Sequence, residues 1–474
     1  MNRTSWVKKI VVDREETPPL YRQIYLRIRT SIADGRLKPG DRVPSIRALS
    51  SELNLARGTV ENAYQQLINE GYLVGRGAAG TIVSPLLKPA PVAANTLPHS
   101  LLQTSLVHSG EPPLPFQMGL PALDAFPRKL WNRIVSFECR NSFLDGAIYP
   151  DARGHAALRS AVAGYLGVSR GIFCSPGQIF IVAGYRASLD LICRSVLQPG
   201  DRCWVEDPGY VAANLFLQEA GAELVPVPVD SDGMVVDVGV QHAPDARFAV
   251  VTPTHQSPLC VALAMPRRQA LLDWASRNGS WIIEDDYDSE YRYQGRPLPA
   301  LKSLDAQDRV LYCGTFSKVL LPGLRLAYLV VPNELVPRVS EIADKMHSHC
   351  PQLWQVATAR FIEQGHFGRH LKKMRSLYSN RRQLLVEALL EKLSDCLSID
   401  HGVGGMHLVA RLNPSADDQA ISQRAKDAGL RVEALSNWYL TPTAERGLLL
   451  SFTNVVDKQQ AEQMVVRLAQ VIRG

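Results

Sequence analysis

The sequence predicts a multidomain chain: a small helical head closed by a β-hairpin, a large α/β domain, and a smaller C-terminal α+β domain. Three observations predict it. Residues 18–83 carry helical apolar spacing in three short segments, then two strand-like runs around a glycine-rich tip. Seven prolines fall within residues 84–115, where no periodicity persists, so this stretch reads as an extended linker. Farther on, Trp281-Ile282-Ile283 and Val310-Leu311-Tyr312 are buried-strand signals that each end abruptly in polar residues. Parallel strands end this way where they deliver side chains to the carboxyl edge of a sheet.

Composition narrows the class. A chain of 474 residues with 46% hydrophobic and 21% charged residues is long enough for two or three globular domains. No apolar run reaches the length of a membrane span, and Met1–Ile10 lacks a signal peptide's apolar core, so a cytoplasmic protein without a membrane partner is expected. The eight cysteines are scattered with no C-x-x-C pair, which indicates neither a metal site nor a disulfide framework. The net charge of +6 is uneven. Residues 1–83 hold thirteen Lys/Arg against eight Asp/Glu, and the remainder thirty-nine against thirty-eight, so the head is the part suited to a polyanion.

In the head, Leu20, Ile24, Ile28 and Ile32 repeat every four residues and mark an amphipathic helix over Pro18–Ile32 that Asp34-Gly35 ends. Ser45 caps a second helix whose Ile46 and Leu49 point inward. Leu55–Gly58 forms a short turn before a third helix from Thr59, which Gly71 stops. Tyr72–Val74 and Thr81–Val83 then form a hairpin, completing a winged helix-turn-helix. The stretch from LYRQIYLRIRTSIADG through VPSIRALSSELNLARGTVENAYQQLINEGYLV resembles the DNA-binding domain of the GntR family. That resemblance implies double-stranded promoter DNA as partner, with the third helix in the major groove. It makes Arg47, Arg57, Thr59 and Asn62 the expected base-side contacts, Ser45 a phosphate contact, and Arg76 the wing's contact to backbone or minor groove. Gly58 stands where the family more often has a polar residue.

In the large domain, the first strand delivers Glu284, Asp285, Asp286 and Tyr287; the second delivers Thr315, Ser317 and Lys318, with Arg325 seven residues on. Pyridoxal 5′-phosphate needs such a set: an amine for its aldehyde, a carboxylate for its ring nitrogen, a phenol for its hydroxyl, and hydroxyls with a guanidinium for its phosphate. EDDYDSE, GTFSK and PGLRLAYLVVP resemble fold-type I aminotransferases, and specifically the aminotransferase-like domain of MocR regulators. By that resemblance Lys318 is the Schiff-base lysine, Asp285 the ring-nitrogen partner and Tyr287 the ring-hydroxyl partner. Thr315, Ser317 and Arg325 are then expected at the phosphate.

The remaining expectations also come from the resemblance. Tyr149, in AIYPDARG, reaches the phosphate held by the partner subunit, which implies a homodimer. Gly184, Tyr185 and Arg186 form a cradle where a strand turns into a helix, although relatives usually carry smaller residues and glutamine there. Tyr210 stacks on the cofactor ring. TPTHQSPLC places His255 near the ring or Asp285, with Cys260 where the family usually has glycine. Leu449 stands where amino-acid aminotransferases carry a carboxylate-clamping arginine, with Arg446 and Arg431 the nearby candidates.

The expected domains are 14–83 (winged helix-turn-helix), 84–115 (linker) and 116–474 (effector domain), the last divided into 116–333 and 334–474. The expected function is a transcriptional regulator controlled by pyridoxal phosphate, an amine or an amino acid reacting at the Lys318 aldimine, in vitamin B6 or amino-acid metabolism. The alternative is an aminotransferase with an accessory DNA-binding head.

Overall fold

The computed structural model describes residues 12–13, 17–86, 112–141, 149–293, 295, 298–346, 350–400, 402, 404–442 and 445–474. The chain divides into two compact units, Met1–Ser109 and Gly110–Gly474. Most of the expected linker, residues 87–111, lies outside the described residues.

The head consists of α1 (Leu20–Ala33), α2 (Ile46–Glu52) and α3 (Arg57–Asn69), followed by the antiparallel pair β1 (Leu73–Gly75) and β2 (Thr81–Val83). Ile24, Ile28, Leu49, Val60, Tyr64 and Leu67 converge in one buried cluster, as the four-residue spacing requires. Tyr64 Oη donates to the Pro44 carbonyl at 3.0 Å, anchoring α3 beneath the entry to α2. The Ser45 hydroxyl accepts from the Ala48 N–H at 3.2 Å and caps α2. The third helix starts at Arg57 rather than Thr59, because extended Ala56 already serves as its N-cap. Arg42 Nη2 donates to the Ala79 carbonyl at 2.5 Å and ties the wing's tip to the preceding turn.

The second unit begins with α4 (Arg128–Asn141) and α5 (Ala156–Arg170), then β3 (Ile179–Val182), α6 (Tyr185–Val196), β4 (Arg202–Asp207) and α7 (Val211–Glu219). It continues with β5 (Glu223–Asp230), β6 (Gly233–Met234), α8 (Val236–His242), β7 (Phe248–Val251) and α9 (Met265–Asn278). The two diagnostic strands follow as β8 (Trp281–Asp286) and β9 (Val310–Thr315), then β10 (Ala327–Val330). These strands form one eight-stranded sheet in the order β3-β10-β9-β8-β7-β4-β5-β6. Its central run from β5 to β9 is parallel, while β10 runs antiparallel to both β3 and β9. The parallel centre brings the carboxyl ends of β4, β7, β8 and β9 to one edge, where a ligand-binding crevice forms in open α/β sheets.

The chain continues through α10 (Val336–Met346), α11 (Gln352–Glu363) and α12 (His366–Leu393) to β11 (Leu397–Ile399), β12 (His407–Leu412), α13 (Asp418–Asp427), β13 (Glu433–Ala434), β14 (Gly447–Ser451) and α14 (Lys458–Arg473). The four strands form an antiparallel sheet, β11-β12-β14-β13. Leu335, Val339, Ile342 and Ala343 pack with α6 in the large sheet's core, so the chain just past Glu334 is still part of that layer. LRVEALSNWYL reads as one strand, yet only Glu433-Ala434 pairs before a 3₁₀ turn at Leu435–Trp438. Asp418 causes the break: its carboxylate accepts from the Ser436 N–H at 3.0 Å and hydroxyl at 2.7 Å, pulling the chain out of the ladder.

Candidate functional site

A cavity of about 530 Å³ opens at the carboxyl edge of the large sheet. Ten of the residues expected at a cofactor line it: Gly184, Tyr185, Arg186, Tyr210, Asp285, Tyr287, Thr315, Ser317, Lys318 and Arg325. Lys318 arrives on a tight turn after β9. The Phe316 N–H donates to the Leu326 carbonyl at 3.0 Å and the Ser317 N–H to Thr315 Oγ1 at 3.1 Å, turning the lysine back over the sheet edge. Its Nζ donates to the Gly119 carbonyl at 2.9 Å. Burial lowers the Lys318 pKa below the ordinary lysine value, against the pull of Asp288 and Asp285.

Asp285 shows the opposite strain. Burial, reinforced by Asp286 and Glu206, pushes its carboxyl well above the usual range, and Lys318 offsets this only in part. Asp286, on the other face of β8, pairs with Arg170 Nε at 3.1 Å and accepts from Tyr312 Oη. Glu206 accepts from Thr252 Oγ1 at 2.5 Å and the Thr252 N–H at 3.1 Å, and burial raises it to about 7. Asp285 is therefore a buried carboxylate short of a cation.

At the other end, Gly184 caps α6 with φ +99°. A Cβ there would lie 3.1 Å from Arg325 Nη2, so glycine lets the guanidinium close over the start of α6. Arg325 Nη2 donates to the Ala183 carbonyl at 2.8 Å. Free N–H groups at a helix start beside a guanidinium form an anion cradle. Tyr185, Tyr210 and Trp438 make an aromatic wall, with ring centroids 6.3 Å and 6.2 Å apart in sequence. Among the described residues, Tyr185 Oη is buried with no hydrogen-bond partner.

His255 does not line the cavity. It sits one layer behind, its Nδ1 3.2 Å from Tyr287 Oη and 3.0 Å from Asp288 Oδ1, because its own loop and Gly405 enclose the ring. It reaches the cavity wall through Tyr287. Burial lowers its pKa, but Asp288 and Cys260 together outweigh burial and hold it well above the ordinary histidine value. Cys260 keeps a backbone shape suited to glycine, with φ +61°, and its N–H donates to the Gln256 carbonyl at 2.7 Å. Its Sγ lies 3.4 Å from His407 Nε2; burial raises the thiol, but His407 and His255 outweigh this and bring it to about 6.

Leu449 is fully buried in β14, packed with Leu259, Val409 and Leu435. Arg446 pairs with Asp418 at 3.1 Å, and Arg431 Nε lies 3.5 Å from Glu433 Oε1; neither lines the cavity. Tyr149 is exposed and stands outside its own chain's cavity. In the head, Ser45, Arg47, Arg57, Asn62 and Arg76 are exposed and Thr59 is half-buried, with Arg57, Thr59 and Asn62 in the first turns of α3. Gly119, His407, Glu433 and Trp438 also line the cavity, though no sequence motif marks them. Trp438 is held there by its carbonyl, which accepts from the Gly209 N–H at 3.1 Å. Asp207 fixes the next residues by accepting from the Leu440 N–H at 2.7 Å and Thr441 Oγ1 at 2.6 Å.

Among the described residues no helix is long and apolar enough to cross a membrane. Residues 20–83 match the family of bacterial regulatory proteins, gntR family, and residues 123–464 match aminotransferase class I and II. The chain is 36% identical over 464 residues to the probable rhizopine catabolism regulatory protein MocR of Rhizobium meliloti, covering 96% of this chain and 94% of that one. It is 32% identical over 446 residues to the HTH-type pyridoxine biosynthesis transcriptional regulator PdxR of Corynebacterium glutamicum, covering 94% of this chain and 94% of that one. Among solved structures, a multiple substrate aminotransferase from Thermococcus profundus superimposes with TM-score 0.70 at 28% identity, covering 82% of this chain and 96% of that one. A GntR-type head, an aminotransferase-type body and relatives of the same two-part architecture together show that this chain belongs to the MocR-type regulators of the GntR family.

Proposed function

We propose that the protein is a cytoplasmic, homodimeric transcriptional regulator whose DNA affinity or promoter activity is set by pyridoxal 5′-phosphate, by an amine or amino acid, or by both acting at Lys318. The observation that carries this reading is the pairing of Lys318 and Asp285 in one cavity with Leu449, not an arginine, at the clamp position. The donor set fits the cofactor. Asp285 lacks a cation that a protonated ring nitrogen would provide, and Tyr287 lines the same wall for a ring hydroxyl. Arg325, Ser317, Thr315 and the start of α6 suit a phosphate. Pyridoxal phosphate, when bound, supplies an aldehyde for which Lys318 and an incoming amine compete.

Communication within the second unit has a physical route. Trp438 and Asp207 join the 3₁₀ turn of the small sheet to the carboxyl end of β4, beside the cavity. A ligand that moved this turn would favour one arrangement over another by its differential affinity for the two. The relatives' names speak of pyridoxine biosynthesis and rhizopine catabolism, which supports a metabolic target without choosing one.

The experiment is to sequence DNA fragments selected by the purified protein with and without pyridoxal phosphate. One enriched motif whose recovery changes with the cofactor is expected; recovery of random fragments under both conditions would sink the reading. The enzymatic alternative is favoured by the retention of Lys318, Asp285 and Tyr287. Turnover of amino donors at about 1 per second or faster would establish it, since that is the low end of ordinary enzymes.

A further inference from the structure

We propose that the starts of α4 and α12 form a second DNA-contacting face, on the second unit, which holds the phosphates of duplex flanking the operator. This rests on the head binding DNA and adds to the contacts expected there.

Charge is spread unevenly along these two helices. Residues 84–474 as a whole are nearly balanced, with thirty-nine Lys/Arg against thirty-eight Asp/Glu. Between Asp124 and Glu138, however, stand three Lys/Arg and no acid, and between Glu363 and Glu387 stand six and no acid. Two of the bracketing carboxylates are already committed, Asp124 to Arg381 and Glu138 to Arg360. Elsewhere on this unit exposed helix cations find an acid one turn away, as Lys345 does at Glu341 and Arg194 at Asp190. Among the described residues Lys129, Arg133, Arg369, Lys372 and Lys373 make no ion pair, and all five are exposed.

Packing brings the two rows together. Trp131 of α4 meets Phe361 of α11 edge-on, ring centroids 5.7 Å apart, and Phe126, just ahead of α4, meets His370 of α12 at 6.1 Å. His366 marks the junction: burial lowers its pKa, and Arg369 and then Arg133 lower it further, one cation from each helix. Arg369 is held there, its Nη2 donating to the Gln364 carbonyl at 3.0 Å and lying 2.7 Å from His366 Nδ1. Arg369, Lys372 and Lys373 follow at spacings of three and four and share one face of α12, as Lys129 and Arg133 do on α4. Like charges at these spacings destabilise a helix, so the fold alone gains nothing from them.

The face suits a polyanion better than a lipid surface. Helices that lie on membranes carry large apolar residues beside their cations. Here the exposed neighbours are Asn132, Ser136, Gly368 and Ser376, and exposed Phe137 has the Arg360 guanidinium over its ring, 4.4 Å from the centroid. Duplex DNA is the polyanion that the covalently attached head presents, and a tethered duplex needs only weak further contacts. Such phosphate contacts carry no sequence information, so they extend binding into flanks of any sequence.

The test uses full-length protein and the motif enriched by selection, placed in a duplex of about 20 bp and at the centre of one of about 60 bp, over a range of salt. Wild-type protein should bind the longer duplex about tenfold more tightly at low salt. Arg133→Gln/Lys372→Gln/Lys373→Gln should bring the two affinities to within about twofold and lower the salt slope on the longer duplex by about 2 to 3, as for three lost phosphate contacts. The milder Lys373→Gln should lower that slope by about 1. Three exposed lysines on other helices, changed as Lys345→Gln/Lys426→Gln/Lys458→Gln, should leave the preference for the longer duplex unchanged. Cooperative melting like that of wild type reports that each variant is folded. Equal wild-type affinity for the two duplexes, or equal weakening on both in the first triple variant, overturns the inference and leaves the regulator reading intact. So does a variant that keeps its preference for the longer duplex but loses binding to phosphatidylserine vesicles, which would make the face a lipid contact. If selection enriches no motif, both readings fail.

Discussion

In the head, the side chains expected to meet DNA stand exposed on a core of about a dozen apolar residues; in the second unit, those expected to meet the cofactor lie at the edge of a deep sheet, several of them buried. The head therefore presents cations that bulk water already solvates, whose value is realised when phosphates displace counterions. The second unit holds a carboxyl raised and an amine lowered from their usual values before any ligand arrives. Burial makes the second kind of site costly to build and intolerant of change, while exposure makes the first cheap to build and tolerant. Substitutions should then be severe and all-or-none in the body, graded in the head.

The largest expected effect is at Lys318. Lys318→Ala should abolish the yellow chromophore and the borohydride-fixed cofactor adduct, while the head still binds DNA. Mapping the adduct by peptide mass checks it, and an adduct on any other lysine ends the assignment. Next is Asp285→Ala, which removes a buried group expected to pair with the ring nitrogen. Cofactor affinity should fall by about 3 kcal/mol, on the order of 100-fold, as when one partner leaves a buried charge pair. Equilibrium dialysis measures it; a change of less than about threefold would mean that Asp285 does not face the ring nitrogen.

A pH experiment probes the same burial without ligand. Glu206 and Glu284 are both raised to about 7 by burial. Their folded pKa exceeds the unfolded value, so the stability they contribute is fully present below about pH 4.5, the ordinary glutamate value, and lost as pH rises to about 7. Each accounts for on the order of 3 kcal/mol at most. Glu206→Gln should therefore lose less stability than wild type between pH 5 and 8 in denaturant titrations of the second unit. Parallel pH slopes would show that Glu206 is not held protonated.

Much of this contrast was legible in the residues themselves. Helix spacing and turn chemistry located α1 to β2 to within two or three residues, because a small domain has few ways to bury Ile24, Ile28 and Leu49. The strand-to-polar transitions located β8 and β9 and with them Asp285, Tyr287 and Lys318. What stayed hidden was contributed across the fold. Gly119 reaches Lys318 through a carbonyl, which every residue has, and Trp438 reaches the cavity because Asp418, 20 residues earlier in the chain, breaks the strand just ahead of it. Neither depends on a local pattern. Cys260 is the informative intermediate case: a residue that looks wrong for its loop keeps the glycine-like backbone, held by the Gln256 carbonyl and packed against His407.

In the head, Arg57→Ala should relax base preference at one operator position at a cost of about 1–3 kcal/mol, the usual scale for a base-reading arginine. Uniform weakening across operator variants would make Arg57 a phosphate contact instead. Competition binding against a panel of single-base variants separates the two outcomes.

The smallest effect sharpens the comparison most, because it falls on a residue with two duties. Ser45 is exposed, and its hydroxyl oxygen accepts from the Ala48 N–H at 3.2 Å, satisfying one of the unpaired donors at the start of α2. The same hydroxyl retains its proton and can donate it to a phosphate oxygen, so capping does not compete with the expected DNA contact. Ser45→Ala removes both and should cost the head about 1 kcal/mol of stability, the ordinary worth of an N-cap. Ser45→Asp keeps the acceptor and complements the helix start, but it sets a negative charge against phosphate. The two variants should then diverge: the aspartate melts like wild type yet binds DNA less well than the alanine, whatever the sequence. If both lose affinity only in proportion to stability, Ser45 is a cap alone and the phosphate contact belongs to another residue of the turn.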